Sequence, residues 1–378
     1  MALPDPRAFF SDDEIDRARR YHRPGYVRSV VGAMVSFAYL AALAFTGLGD
    51  AIADSVGSAA AYVGVVVVVG SLLGLPLRAW GFAHERRWGF ATQSWAGWLN
   101  DWAKGAVVGL VITGGLLLGF LTLAHAMPDT WVWVAAPLAA AVVFVLSFLA
   151  PVVFEPLFNK FRPLEDEALA ESVRALSREA GVPVRDVLVA DASRRTTKEN
   201  AYVSGLGATR RVVVYDTLLR RGSPQEVRLV VAHELGHRRA GHVMKGTMTA
   251  AAGAVTVAFL VWVLLGSPAA LDAIHASGPG DPRVVPFVLL VAAVAGLASD
   301  PFGMAVSRRW ERAADRFSID LTGDPEGFAE MERNLSIANL SELAPSLLAY
   351  LFTFSHPAPA ERIAAARARA GAAAPVSR

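Results

Sequence analysis

The chain has 378 residues, of which 54% are hydrophobic and only 19% charged, and its mean hydropathy is +0.39. A soluble globular chain carries about 25% charge, so the apolar surplus calls for a second apolar solvent, the bilayer. This excludes a compact soluble enzyme, a disordered chain and a collagen-like fibre. A net charge of +2 gives no reason to expect nucleic acid as a partner, and the absence of cysteine removes disulfides, thiol nucleophiles and thiolate metal ligands together.

In chain order, six stretches reach the length of about 20 apolar residues that a membrane helix needs. They lie near 29–49, 58–77, 105–126, 131–152, 243–266 and 284–305. The expected fold is mainly α, a polytopic membrane protein of about six transmembrane helices with a small α+β domain. Small residues in the first two spans suit close helix packing in lipid, and Trp131 and Trp133 fit an interfacial belt. Asp300-Pro301 is expected to interrupt the sixth, with Asp300 near its end facing water. Ala51-Ile52-Ala53 resembles a signal-peptide cleavage site. The first apolar run is too long for an h-region, however, and follows an acidic segment, so it reads as a retained span.

The connections alternate in charge. Arg17, Arg19, Arg20, Arg23 and Arg28 precede the first span, and Arg78, Arg86, Arg87 and Lys104 follow the second. Residues 153–242 and the C-terminal tail are also basic, whereas the intervening connections are acidic or nearly neutral. The positive-inside rule then predicts both termini and the hydrophilic portions in the cytoplasm. The expected organisation is a cytoplasmic segment 1–28, four spans in 29–152 and a hydrophilic portion 153–242. Two spans in 243–305 follow, and then residues 306–378 complete the hydrophilic domain left for chemistry and end in a helix that frays within 364–378.

Residues 231–237 read Val-Ala-His-Glu-Leu-Gly-His. His233 and His237, four apart on a helix, share a face and can bind one Zn²⁺, with Glu234 beside the open coordination position. Ser223-Pro224-Gln225-Glu226 is a capping box that starts this helix. A hydrolytic zinc site needs a third protein ligand. Glu311 and Asp315, four apart after the sixth span, are candidates for that ligand and for the acceptor of a histidine's second N–H. Spacing alone leaves an ordinary helix-end salt bridge equally open. His242 falls off the two-histidine face. Residues 165–180 predict an amphipathic helix and Val187–Ala190 a buried strand. Asn200–Val203 and Arg211–Tyr215 flank Gly205-Leu206-Gly207 as a hairpin. Such a strand beside the zinc helix can take an extended peptide on its edge.

Six ordered motifs carry a family resemblance. They are Phe82–Phe90, Ala150-Pro151 through Leu164, Asn200-Ala201-Tyr202 through Leu219, the His233–His237 helix, Ser307–Asp315, and His356-Pro357 followed by Glu361-Arg362-Ile363. Together they resemble the type I CAAX prenyl proteases, integral membrane zinc metallopeptidases, and more distantly the HtpX-type membrane protease. The resemblance implies His233, His237 and Glu311 as ligands of one Zn²⁺, Glu234 as catalytic base and Asp315 as support for a ligating histidine. It further implies that His356 acts near the reacting carbonyl, and that Asn200, Ala201, Tyr202 and Arg362 line the substrate site. It also implies spans surrounding a water-filled chamber. The family usually has seven spans, and the first of these has no counterpart here. Trp310, Arg312 and Ala313 also depart from its more usual residues.

The implied activity is metal-assisted hydrolysis of a peptide or membrane-protein substrate at the bilayer, in quality control or C-terminal processing. An arginine-rich, lysine-poor composition points to a bacterial cell membrane. Two alternatives are a non-catalytic chamber that binds lipids or peptides and a site-2 type protease. The intact motif speaks against the first, and Arg238-Arg239 directly after it against the second.

Overall fold

The computed structural model describes residues 3–373 apart from Leu206, and its helices divide between lipid and water according to how their apolar residues are spaced. Helix α1 (Asp12–Phe45) starts at a capping box in which Ser11 and Glu14 satisfy each other's backbone N–H groups. The segment before the first span is therefore not separate from it. From Asp12 onward it is the same helix, because side-chain polarity sets the membrane boundary while the hydrogen-bond ladder continues into water. The helix ends at Thr46, short of the expected Gly49. There the Thr46 hydroxyl accepts the N–H of Leu48 and opens α2 (Gly47–Val56).

Helices α3 (Ala59–Arg87), α4 (Trp95–Ala126) and α5 (Val132–Leu149) follow. A π-helical turn, Ala150–Phe154, joins α5 to α6 (Glu155–Phe158). Pro151 and Pro156 each lack the N–H that a regular ladder needs. Among the described residues, six helices are long and apolar enough to cross a membrane, and each predicted span overlaps one of them: Asp12–Phe45, Ala59–Arg87, Trp95–Ala126, Val132–Phe158, His242–Leu265 and Pro282–Thr322.

After the fourth of these, the chain forms a small sheet from β1 (Phe161–Pro163), β2 (Asp186–Ala190), β3 (Ala201–Ser204) and β4 (Arg211–Tyr215), in the order β1-β2-β4-β3. Strand β2 is parallel to β4, and the outer pairs are antiparallel. The central β4 is apolar on both faces, and Val212, Val213 and Val214 are fully buried. The predicted hairpin is β3–β4, and Leu206 of its turn lies outside the described residues. Helix α7 (Glu167–Glu179) buries Leu169, Val173 and Leu176 at helical spacing. It packs on β2 and on α9 (Pro224–Arg239), which lies against β3 after the short α8 (Asp216–Arg221).

The chain re-enters the apolar phase as α10 (His242–Leu265), turns through α11 (Pro268–Ala273), and returns as α12 (Val285–Thr322). Helix α12 passes through Asp300-Pro301 unbroken, where an interruption was expected. A proline inside a membrane helix is tolerated when its neighbours and small local adjustments satisfy the freed carbonyl. At 38 residues it is about 57 Å long, nearly twice the hydrocarbon thickness of about 30 Å. Its last turns therefore stand in the half that holds the sheet, packed on α9. Helices α13 (Pro325–Ala338), α14 (Leu347–Thr353) and α15 (Pro359–Ala373) close that half. Residues 374–378 of the expected fraying tail lie outside the described residues.

Candidate metal centre and active site

Helix α9 begins at the Ser223–Glu226 capping box, with Pro224 in its first turn. One side, with Val227, Val231 and Leu235, is buried in the core. His233 and His237 project toward α12. Gly236 makes that approach possible, since a Cβ there would stand 3.1 Å from both the Ala314 backbone and the Phe317 ring.

Glu311 meets the two histidines across this contact. Its carboxylate oxygens lie 3.2 Å from His233 Nε2 and 3.3 Å from His237 Nε2, and the two Nε2 atoms are 3.1 Å apart. One ligand atom from each residue can be chosen so that all lie within 4.8 Å of one another. Glu311 Oε2 is buried and makes no hydrogen bond. Two imidazoles and a carboxylate, with one oxygen left unsatisfied, form a donor set that fits a divalent cation of the zinc type. Electrostatics agree. Burial opposes charge on His233, yet the adjacent carboxylates of Asp315 and Glu311 outweigh it and raise its pKa to about 10. The site is thus built to hold positive charge. Glu234 adjoins it and makes no hydrogen bond to any described residue. Burial pushes its carboxyl above the usual range, against the pull of His233 and His237.

Behind the first histidine runs a chain of charges. His233 Nδ1 is 2.8 Å from Asp315. Arg362 grips Asp315 through two hydrogen bonds of 2.9 and 2.6 Å and reaches Glu332 at 2.6 Å. The Arg362 guanidinium is thus held between two buried acids. Sequence reasoning missed Glu332, which lies on α13 and reads there as a solvated helix acid. It also set aside His242, which stands 3.0 Å from His237 and stacks on Trp310 at an interplanar angle of 11°. Helical counting failed for His242 because Gly241, in the left-handed region at φ +67°, breaks the helix between the two histidines. Trp310, a departure from the family pattern, forms the floor of that stack.

His356 arrives from the loop after α14. Its Nε2 is 3.4 Å from Glu311 and its Nδ1 is 2.8 Å from the Ser355 hydroxyl. The buried Arg308 fixes that loop by donating to the carbonyls of Tyr350 and Phe354 while lying over the Tyr350 ring. His356, Asn200 and Arg362 line one open cavity of about 890 Å³. The other two hairpin residues point elsewhere: Ala201 is buried in the core, and the Tyr202 hydroxyl reaches Glu155 on α6.

Strand β3 is the sheet's outer strand on the α9 side. Part of its free edge is occupied from within the chain. The Asn200 side chain accepts the Ala201 N–H at 2.9 Å, and the Arg238 guanidinium donates to the Val203 carbonyl. Such cover suppresses unwanted pairing of an open edge.

The comparisons with known proteins can now be set beside this geometry. The profile of "Peptidase family M48" matches residues 163–370, and that of "CAAX prenyl protease N-terminal, five membrane helices" matches 3–160. Within the latter stretch the described chain has four helices long enough to span. The chain is 28% identical over 373 residues to the uncharacterized metalloprotease YhfN of Bacillus subtilis, covering 95% of this chain and 87% of that one. It is 32% identical over 193 residues to CAAX prenyl protease 1 of Saccharomyces cerevisiae, covering 50% of this chain and 43% of the other. The crystal structure of S. mikatae Ste24p superposes with a TM-score of 0.81 at 23% identity, over 97% of this chain and 91% of that one. This likeness bears out the expected fold. The chain belongs to peptidase family M48, as a multi-pass membrane metallopeptidase.

Proposed function

We propose that this protein is a zinc endopeptidase of the cell membrane that cleaves an extended peptide lying along β3, with its catalytic half and both termini in the cytoplasm. One observation carries the reading: His233, His237 and Glu311 converge on a single point, and Glu234, a carboxylate with no hydrogen bond, stands next to it. Zinc held by those three side chains would supply Lewis acidity, polarising the scissile carbonyl and lowering the pKa of water towards about 7.

Glu234 accepts the proton of the attacking water and later returns it to the leaving amine. Its raised carboxyl pKa suits a group that must both take and give a proton near neutrality. Asp315 accepts the Nδ1 proton of His233 and so keeps Nε2 free as a donor of electrons to the cation. Arg362, held by Glu332, keeps Asp315 in its bridging position. His356, on the cavity side of Glu311, is suited to stabilise the developing oxyanion. The substrate backbone pairs with β3 and displaces the Asn200 side chain from the Ala201 N–H, leaving Asn200 to hold the peptide from the cavity. The alternation of basic connections supports the cytoplasmic orientation.

Two sources of such a peptide fit a bilayer-embedded site: a damaged membrane protein, or the C-terminal segment of a protein to be matured. Relatives named CAAX prenyl protease 1 give the second a prenylated form. Mass spectrometry of protein termini in host membranes carrying wild type or Glu234→Ala separates the two. Many new termini in damaged membrane proteins mean quality control, and one recurrent C-terminal trim means maturation. Identical termini under several stresses would overturn the reading.

A further inference from the structure

Between α1 and α3 runs an open groove of about 450 Å³; none of its lining residues belongs to the metal centre, and at its arginine end Arg28 and Ser29 also line the cavity of His356 and Arg362. Its walls are apolar, with Val35 and Leu40 on one side and Val66 and Leu73 on the other. Gly32, Gly70 and Gly74 keep it open. A side chain at Gly70 would press on the Tyr39 ring, whereas at Gly74 the nearest atom would be 3.9 Å away, on Arg78. The groove extends twelve helical steps on each wall, from residue 28 to 40 on α1 and from 66 to 78 on α3. That is about 18 Å of helix, close to the ~15 Å depth of one leaflet's hydrocarbon.

Both walls end in an arginine at the end nearer the catalytic half. Arg28 lies against the bare backbone of Gly81, where a Cβ would stand 2.7 Å from its Nη1. Arg78 is three residues before Gly81 and so shares its helix face. Neither arginine makes a hydrogen bond or ion pair with any described residue, whereas Arg195, Arg283 and Arg362 each have an acidic partner. Two unpaired guanidinium groups at the mouth of an apolar groove one leaflet deep match a ligand with a phosphate at one end and a hydrocarbon chain below it.

We propose that the α1–α3 groove binds an anionic phospholipid, with its phosphate between Arg28 and Arg78 and one acyl chain along Gly32, Gly70 and Gly74. A prenylated peptide is the weaker candidate, because its thioether and backbone would present neutral groups to the two cations. The bound lipid would seal the gap between α1 and α3.

The test is native mass spectrometry of the full chain released from detergent, titrated with phosphatidylglycerol or phosphatidylcholine. Wild type is expected to retain one phosphatidylglycerol and to prefer it over phosphatidylcholine. The double variant Arg28→Gln/Arg78→Gln should lose roughly 30-fold in affinity for phosphatidylglycerol, at about one interfacial charge interaction per arginine. Gly74→Phe keeps both cations but fills the groove, and should lose retention of either lipid. Melting temperatures within a few degrees of wild type would establish that the variants are folded. Equal retention of the two lipids by wild type, or undiminished phosphatidylglycerol binding in both variants, would overturn the proposal. So would a farnesylated peptide whose affinity falls in the double variant while phosphatidylglycerol retention does not.

Discussion

In the catalytic half, Val212, Val213, Val214 and Leu229 are fully buried, and so nearly are the charged residues Glu311, Asp315, Glu332 and Arg308. In the membrane half, the most apolar window of Val132–Phe158 contains no buried residue, and Leu138, Val145 and Phe148 are each more than half exposed. The same residue types thus face opposite ways. Around the sheet, apolar side chains turn inward and leave a protected interior where charges can be paired. In the spans most turn outward to lipid, while a smaller set that includes Val63, Leu117 and Val261 packs between the helices. Helix α12 belongs to both halves. Its first turns are apolar and its last carry Glu311 and Asp315, so one rigid rod ties the metal centre to the bilayer.

The sharpest way to break this contrast is to remove the ligand proposed on α12. Glu311→Ala should abolish cleavage and reduce bound zinc to well below one per chain, measured by plasma mass spectrometry. Unchanged metal content would reject Glu311 as a ligand. Arg362→Leu leaves two buried acids without their cation and should destabilise the catalytic half by about 3–5 kcal/mol. Proteolytic susceptibility of the folded chain in nanodiscs would report that loss. A paired substitution compares the two halves directly. Leu229→Ala should cost about 2–5 kcal/mol, whereas Leu138→Ala, facing lipid, should fall within about 0.5 kcal/mol, both read from thermal unfolding. Equal effects would mean that Leu138 does not face lipid. A more local change is Ser223→Ala, which removes the N-cap of α9 and should cost about 1 kcal/mol, seen as faster hydrogen exchange in its first turn.

The features legible in the sequence are those whose partners lie within one or two helical turns. The pair His233–His237, the Ser223–Glu226 cap and the β3–β4 hairpin each declare themselves by local spacing, whereas spacing left Glu311–Asp315 open and the family resemblance singled it out. The span count followed from run length. Features that depend on distant chain meeting in space did not. Glu332 gains its place only by facing Arg362, thirty residues on. His242 acquires meaning only once Gly241 turns the chain. Arg308 reads as one charge in a basic run until Tyr350 and Phe354 lie beside it. The ends of α1 and α12 were blurred for another reason, since polarity marks where lipid stops and not where a helix does. Strand β1 is three residues long, too short for a period of two to show.

The most direct test of the central claim is made on purified chain in nanodiscs, wild type beside Glu234→Gln, with zinc content and peptide cleavage measured on the same samples. The account predicts one zinc per chain in both, and cleavage reduced by at least about 100-fold in the variant. Full cleavage by Glu234→Gln, or by wild type stripped of metal, would contradict it.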